Sequence, residues 1–204
     1  MYALVTDGSI TKTISGKRGI TIGDVQYPQN IFNLWSAAEK EAIGIYEVVF
    51  DNSNKKDESY YINTNQSFNF ADGKVIASYG TATAKLLEDR NEVDEAGEPL
   101  LDEKGNQVVT KGLKSQKKEI IKQQASGLLT PTDWYVIKAT DVAEYNVPSA
   151  VSTFRADVRT KSNEMETAID NASDVDALAS LYEYTEQVDG SFTRPLGEFP
   201  ILEI

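Results

Sequence analysis

The chain has 204 residues, enough for one ordinary domain or two small ones, and its 40% hydrophobic and 25% charged content is that of a folded globular protein. A formal charge of −12 opposes any general affinity for phosphate backbones or anionic membranes, so the expected partner is protein or neutral glycan. With no cysteine and no histidine, the chain lacks disulfides, thiol nucleophiles, most zinc ligand sets and every catalytic triad built on an imidazole base.

Residues 2–14 predict a hairpin. Tyr2–Thr6 and Ser9–Ile14 are rich in β-branched residues, and Asp7-Gly8 between them suits a type I′ turn. This start lacks the basic and long apolar segments of a signal peptide, and no window approaches the roughly 18 apolar residues of a membrane span, so cytosolic synthesis is expected. A short strand, Gly19–Ile22, precedes a Gly23-Asp24 turn and a stop at Tyr27-Pro28. Ser36-Ala37-Ala38-Glu39 is a capping-box pattern that predicts one short helix ended by Gly44, after which Ile45–Phe50 returns as a strand. Ser59–Asn63, Ser67–Phe70 and Lys74–Tyr79, with Asp72-Gly73 before the last, predict another hairpin. Residues 1–90 are therefore expected to form a small, mostly antiparallel β domain with one short helix.

Residues 91–112 carry Asp94-Glu95-Ala96-Gly97 and, eight residues on, Asp102-Glu103-Lys104-Gly105, which predict successive turns of a projecting hairpin or linker. A calcium loop needs carboxylates alternating toward one centre and a closing glutamate, and this spacing does not supply them. No metal and no cofactor is expected.

From Leu113 the period changes to helical: Leu113, Ile120, Ile121, Ala125, Leu128 and Leu129 fall broadly on one face, with Lys114, Lys117, Lys118 and Lys122 largely elsewhere. Given the acidic chain, these lysines read as a solvated face pairing with nearby carboxylates rather than as a nucleic-acid patch. Pro131 is expected to stop the helix, leaving Tyr135–Ile137 extended. Pro148 suits the first turn of a second helix whose apolar stripe is Val151, Phe154, Val158, Met165 and Ile169, with Ser162 in the gap. Ser173–Asp176 begins a short third helix, and residues 185–204 are expected to form an extended tail with an apolar end, Phe199–Ile204. The whole predicts an α+β protein: β domain 1–90, projection 91–112, helical hairpin region 113–184 and tail 185–204.

The segment Leu128–Ile137, with Thr132-Asp133-Trp134 at its centre, followed by Phe154-Arg155 and Val158-Arg159, resembles phage tail assembly chaperones and tail-fibre-associated proteins over roughly residues 113–170. Tyr27-Pro28, Trp35, the Ser36 helix start and Gly44-Ile45-Tyr46 look like the N-terminal half of such proteins. The resemblance implies a structural component of a bacteriophage tail, located in the virion at the baseplate, tail tip or fibre attachment. Its partners would be other tail proteins, without nucleic acid or membrane, and a homo-oligomer within the tail is left open. Two alternatives stand beside it: a non-virion chaperone of tail or tail-fibre assembly, and a host-glycan receptor-binding module. The chain departs from the chaperone pattern because its helix runs on past Arg159 and a β domain precedes the motif.

Within that motif, Asp133, Trp134, Phe154, Arg155, Val158 and Arg159 are the scaffold or interaction candidates. Arg155 and Arg159 lie four apart, so both can face a returning turn, and an ion pair from Asp133 to one of them is expected, with Trp134 near Phe154 between the helices. No catalytic residue is assigned. Acidic pairs such as Glu164 with Glu166 and Asp174 with Asp176 fall on helical surfaces or a cap, with no sign of the cleft that glycoside hydrolysis needs. Tyr60, Tyr61, Phe68, Phe70 and Tyr79 are weighed as sugar-stacking residues, but alternation sends about half of them inward and makes core packing the default.

Overall fold

The computed structural model describes residues 1–203, and the chain divides into two compact units, Met1–Thr83 and Ala84–Ile204. The fold is α+β, with a β-rich first unit and a mainly helical second. The boundary at 83/84 falls short of the expected 90/91. The reason lies in Glu88 and Asp89, which bond to the start of the first long helix of the second unit.

In the first unit, β1 (Tyr2–Thr6) and β2 (Ser9–Ile14) pair antiparallel about Asp7-Gly8, whose φ values of 52° and 74° are both positive, as a type I′ turn requires. A smaller hairpin, β3 (Ile20–Ile22) with β4 (Val25–Tyr27), precedes the short helices α1 (Ile31–Leu34) and α2 (Ala37–Glu41). At α2 the serine and glutamate form the full capping box: Glu39 N–H donates to Ser36 Oγ at 3.3 Å, and Ser36 N–H donates to Glu39 Oε2 at 2.8 Å. The sequence reading expects one helix in this stretch, and α1, a single turn, is additional. Four residues carry too little periodicity to announce a helix.

The strands β5 (Ile45–Asp51), β6 (Tyr61–Ile62), β7 (Ser67–Ala71) and β8 (Lys74–Ser78) follow. A five-stranded sheet runs in the order β2-β1-β5-β8-β7. Its pairings are antiparallel except β5 with β8, which is parallel, so Val48 lies beside Val75 and Val49 beside Ile76. A parallel pair needs a long return connection, and the stretch between β5 and β8, with the β7 hairpin arm inside it, supplies one. Alternation divides the apolar residues between two cores. One gathers Ile14, Ile20, Ile31, Phe32 and Ile45 under Tyr2 and Trp35; the other gathers Ala3, Val48, Val75 and Ala77 with Phe68 and Phe70. Phe68, Phe70 and buried Tyr60 are thus core residues, not exposed stacking faces.

At the junction lies β9 (Thr83–Ala84), and the second unit opens with β10 (Arg90–Asn91) paired to β11 (Val109–Thr110). Between them the two Asp…Gly segments are turns: Asp94 Oδ1 accepts from Ala96 and Glu98 N–H, and Asp102 Oδ1 from Lys104 and Asn106 N–H. The eight-residue spacing closes a small triangle. Glu92 N–H donates to the Val108 carbonyl, Val108 to Leu100 and Leu100 back to Glu92, at 2.9, 2.8 and 3.0 Å. The Gln107 side-chain amide donates to all three of those carbonyls, at 2.7, 3.0 and 3.1 Å. One side chain therefore reinforces three short segments that their backbones already join.

The helical part comprises α3 (Leu113–Leu129), a 3-10 turn (Thr130–Thr132), α4 (Asp133–Asp141), α5 (Ser149–Asp170) and α6 (Val175–Ser180). A hairpin of β12 (Thr185–Glu186) and β13 (Phe192–Thr193) follows. Helix α3 begins at Gly112, which has no side chain to cap it. Residues before it supply the partners: Leu113 and Lys114 N–H donate to the Leu86 and Leu87 carbonyls at 2.8 and 3.1 Å, and Asp89 accepts from Gly112 N–H at 2.8 Å and the Ser115 hydroxyl at 2.9 Å. Only glycine fits at 112, since a Cβ there would lie 2.4 Å from the Glu88 carbonyl.

All six positions of the α5 stripe, Val151, Phe154, Val158, Ser162, Met165 and Ile169, are buried, and α3 is the helix packed on them. Burial of residues such as Val158 and Ile169 contributes about 1.5–3 kcal/mol each before entropy is counted. On α3, Ile121 and Ala125 face this seam, while Ile120 turns outward and Lys114 takes an inner place. Glu88 and the Asp170 carbonyl meet the Lys114 ammonium there. Lys111, Lys118 and Lys122 pair with Glu119, Asp170 and Glu166 in turn.

Two expectations about this unit are corrected. Pro131 does not leave Tyr135–Ile137 extended: it sits in the 3-10 turn at the head of α4, where a missing N–H costs nothing. The apolar end is not a free tail either. Leu196 is buried, and Phe199 and Leu202 pack on Ala125, Phe154 and Val158; Ile204 lies outside the described residues.

Two predictions follow from these local ties. Gln107→Ala removes three hydrogen bonds at once and should cost about 1–3 kcal/mol locally. Hydrogen exchange at Glu92, Leu100 and Val108 should accelerate while the β5–β8 amides stay protected. Asp89 is held below its ordinary value first by the Gly112 N–H and then by the Ser115 hydroxyl. A depressed folded value means its contribution is complete above the unfolded value of about 3.9 and is lost as pH falls through the folded one. The Gly112 amide should therefore exchange faster below about pH 4, and Asp89→Asn should abolish that step in an exchange-versus-pH series.

Candidate functional site

The Thr132-Asp133-Trp134 turn is built by Arg155. Its guanidinium reaches back from α5 and donates to the Leu129 carbonyl at 3.0 Å and to the Thr132 hydroxyl. It also forms an ion pair with Asp133 Oδ1 at 2.8 Å. The Thr132 hydroxyl passes its own proton to the Leu129 carbonyl at 2.7 Å, which closes a short network. Thr132 is nearly fully buried and the Arg155 side chain is 12% exposed, so the end of α3 and the start of α4 are locked at a fixed angle to α5.

Of the expected site residues, the structure brings Asp133 and Arg155 together. Arg159 does not join them: its guanidinium donates to the Arg155 carbonyl of its own helix at 3.0 Å. Phe154 and Val158 lie in the seam with Ala125, Leu128 and Leu129. Trp134 is not in that seam, which corrects the expectation that it packs near Phe154. Its indole is 49% exposed and stacks on Tyr135, with ring centroids 3.8 Å apart. The reason is the helical turn itself: once Asp133 points at Arg155, the next residue is carried about 100° round the helix axis, away from α5.

What α4 presents is therefore a surface. No residue of α4 is buried, although it carries Trp134, Val136 and Ile137, and Val142 follows it. Trp134, Ile137 and Asp141, spaced three and four apart, share one face. Lys138 on the same side lies 4.3 Å from the Tyr145 ring centre and 5.9 Å from that of Trp134. The sequence names Thr132 only as part of the motif and assigns no role to Ile137 or Asp141. The 134/137/141 spacing was the available signal, masked by reading Pro131 as a stop.

Shallow hollows of about 310–520 Å³ lie along α5 and beside Phe199 and Pro200, lined by residues such as Asp157, Thr160, Glu164 and Gln124. Among the described residues no group of acidic side chains is placed to hold a metal ion, and no helix is long and apolar enough to cross a membrane. Comparison with protein families, with curated proteins and with solved structures finds no match to the chain.

The network ranks three substitutions. Arg155→Ala leaves the buried Thr132 hydroxyl and Leu129 carbonyl short of a donor and should cost about 1–3 kcal/mol. Asp133→Ala, which removes a carboxylate half open to water, should cost about 0–1 kcal/mol. Trp134→Ala should fall within about 1 kcal/mol of the parent, because the indole fills no core space. Urea denaturation of the three variants checks the order, and a Trp134→Ala loss above that of Arg155→Ala would return the indole to the scaffold.

Proposed function

We propose that the chain is a structural component of a bacteriophage tail, at the baseplate, tail tip or fibre attachment, that acts through protein contacts and performs no turnover of its own. The resemblance of Thr132-Asp133-Trp134, Phe154-Arg155 and Val158-Arg159 to tail-associated proteins supports the setting. The observation that carries the role is α4: a helix pinned by Arg155 that exposes Trp134, Val136 and Ile137. A fixed, aromatic, water-facing helix is a feature of a contact surface, since holding such side chains in solvent contributes nothing to folding.

The β unit of residues 1–83, an extra folded part ahead of the motif, favours a lasting part over a transient helper. A non-virion assembly chaperone is the second reading, favoured by the kind of protein the motif resembles.

Quantitative mass spectrometry of gradient-purified particles separates the two. A tail component stays with the particle at a fixed copy number; recovery from infected-cell lysate alone would transfer the assignment to the chaperone.

A further inference from the structure

Resting on the reading that the chain works through protein contacts, we propose that α4 is the docking face for a basic protein segment. That segment lays an apolar side chain on Trp134 and Ile137 and brings a lysine or arginine to Asp141 and Glu144. The apolar half of the argument is exposure: Trp134 is 49% and Ile137 61% open, on one face of a helix that Arg155 holds still. A preset face gives up little entropy when it is covered.

The charged half is local and independent of the first. Asp141 closes the last turn of α4, where the helix carbonyls already concentrate negative charge, and a carboxylate there is unfavourable until a cation arrives. Glu144 follows in the turn closed by Tyr145 N–H to the Val142 carbonyl at 3.0 Å. Among the described residues neither Asp141 nor Glu144 takes part in an ion pair, and the one lysine of α4, Lys138, is drawn to the rings of Tyr145 and Trp134. Of the α3 lysines, Lys114, Lys118 and Lys122 are committed to other carboxylates and Lys117 lies over the Tyr182 ring.

The wider field has the same sign. Of the 32 acidic and 20 basic residues, 23 and 13 fall at 84–204, so ten of the twelve net negative charges belong to the unit that carries α4. A basic segment is steered toward this face, and an acidic one is repelled from it.

The test uses the full chain labelled with 5-fluorotryptophan, which yields one resonance each for Trp35 and Trp134. The probes are two short synthetic peptides with the same leucine pattern, one carrying arginines and the other glutamates at the charged positions. The arginine peptide should shift Trp134 and leave Trp35 unmoved, and the glutamate peptide should shift neither. Asp141→Asn with Glu144→Gln should weaken the arginine peptide by about threefold or more, whereas Glu183→Gln with Glu186→Gln, an equal neutralisation elsewhere in the unit, should leave it unchanged. Equal response to both peptides, no response of Trp134, or equal weakening by the two double variants overturns the proposal. These outcomes are separable from the tail assignment: absence from particles removes that assignment and leaves the peptide result standing, and the reverse holds too.

Discussion

The second unit depends on one guanidinium. Arg155 projects from a helix whose own stripe, Val151 to Ile169, is buried, so its position is set by core packing before it bonds to anything. From there it meets a carbonyl at the end of α3, a buried hydroxyl in the 3-10 turn and a carboxylate at the head of α4. All three contacts converge on one terminal nitrogen, Nη1, which the planar guanidinium holds in place. Rigidity thus passes from an apolar seam, through one polar side chain, to a helix that has no core of its own.

That arrangement explains why aromatic and aliphatic side chains can remain in water without collapsing onto the protein. Folding back of Trp134 or Ile137 would require α4 to rotate, and rotation would break the Asp133 contact and strand the Thr132 hydroxyl. Two other devices in the unit follow the same pattern of a single polar side chain serving several backbone groups. Gln107 binds the three carbonyls of the closed triangle, and Asp89 holds the Gly112 amide and the Ser115 hydroxyl at the head of α3. In each case the chain lacks enough regular secondary structure to satisfy its own backbone locally, and a side chain from elsewhere completes it.

Features governed by short-range periodicity were legible in the sequence. The Asp7-Gly8 hairpin, the Ser36–Glu39 capping box and the buried stripe of α5 all depend on residues within a turn or two of each other. The α+β class followed from these. Features set by distant partners were not legible: the parallel pairing of β5 with β8, the reach of Asp89 to residue 112, and the ring closed by Gln107 depend on where remote segments come to lie. At the candidate site the ion pair between positions 133 and 155 was within reach of helix geometry, whereas the outward Trp134 was not. Pro131 has two readings, a stop or a first-turn residue, and only the packing of α4 decides between them.

The central claim is that the exposed face of α4 is how this chain joins its assembly. The most direct measurement is the copy number of an Ile137→Asp chain in purified particles beside that of the parent. Ile137 is 61% exposed, so the substitution leaves the fold intact, which circular dichroism of the isolated chain verifies. The account predicts a folded variant that is lost from the particle or reduced several-fold. Incorporation at the parental copy number would contradict it and move the contact surface elsewhere on the molecule.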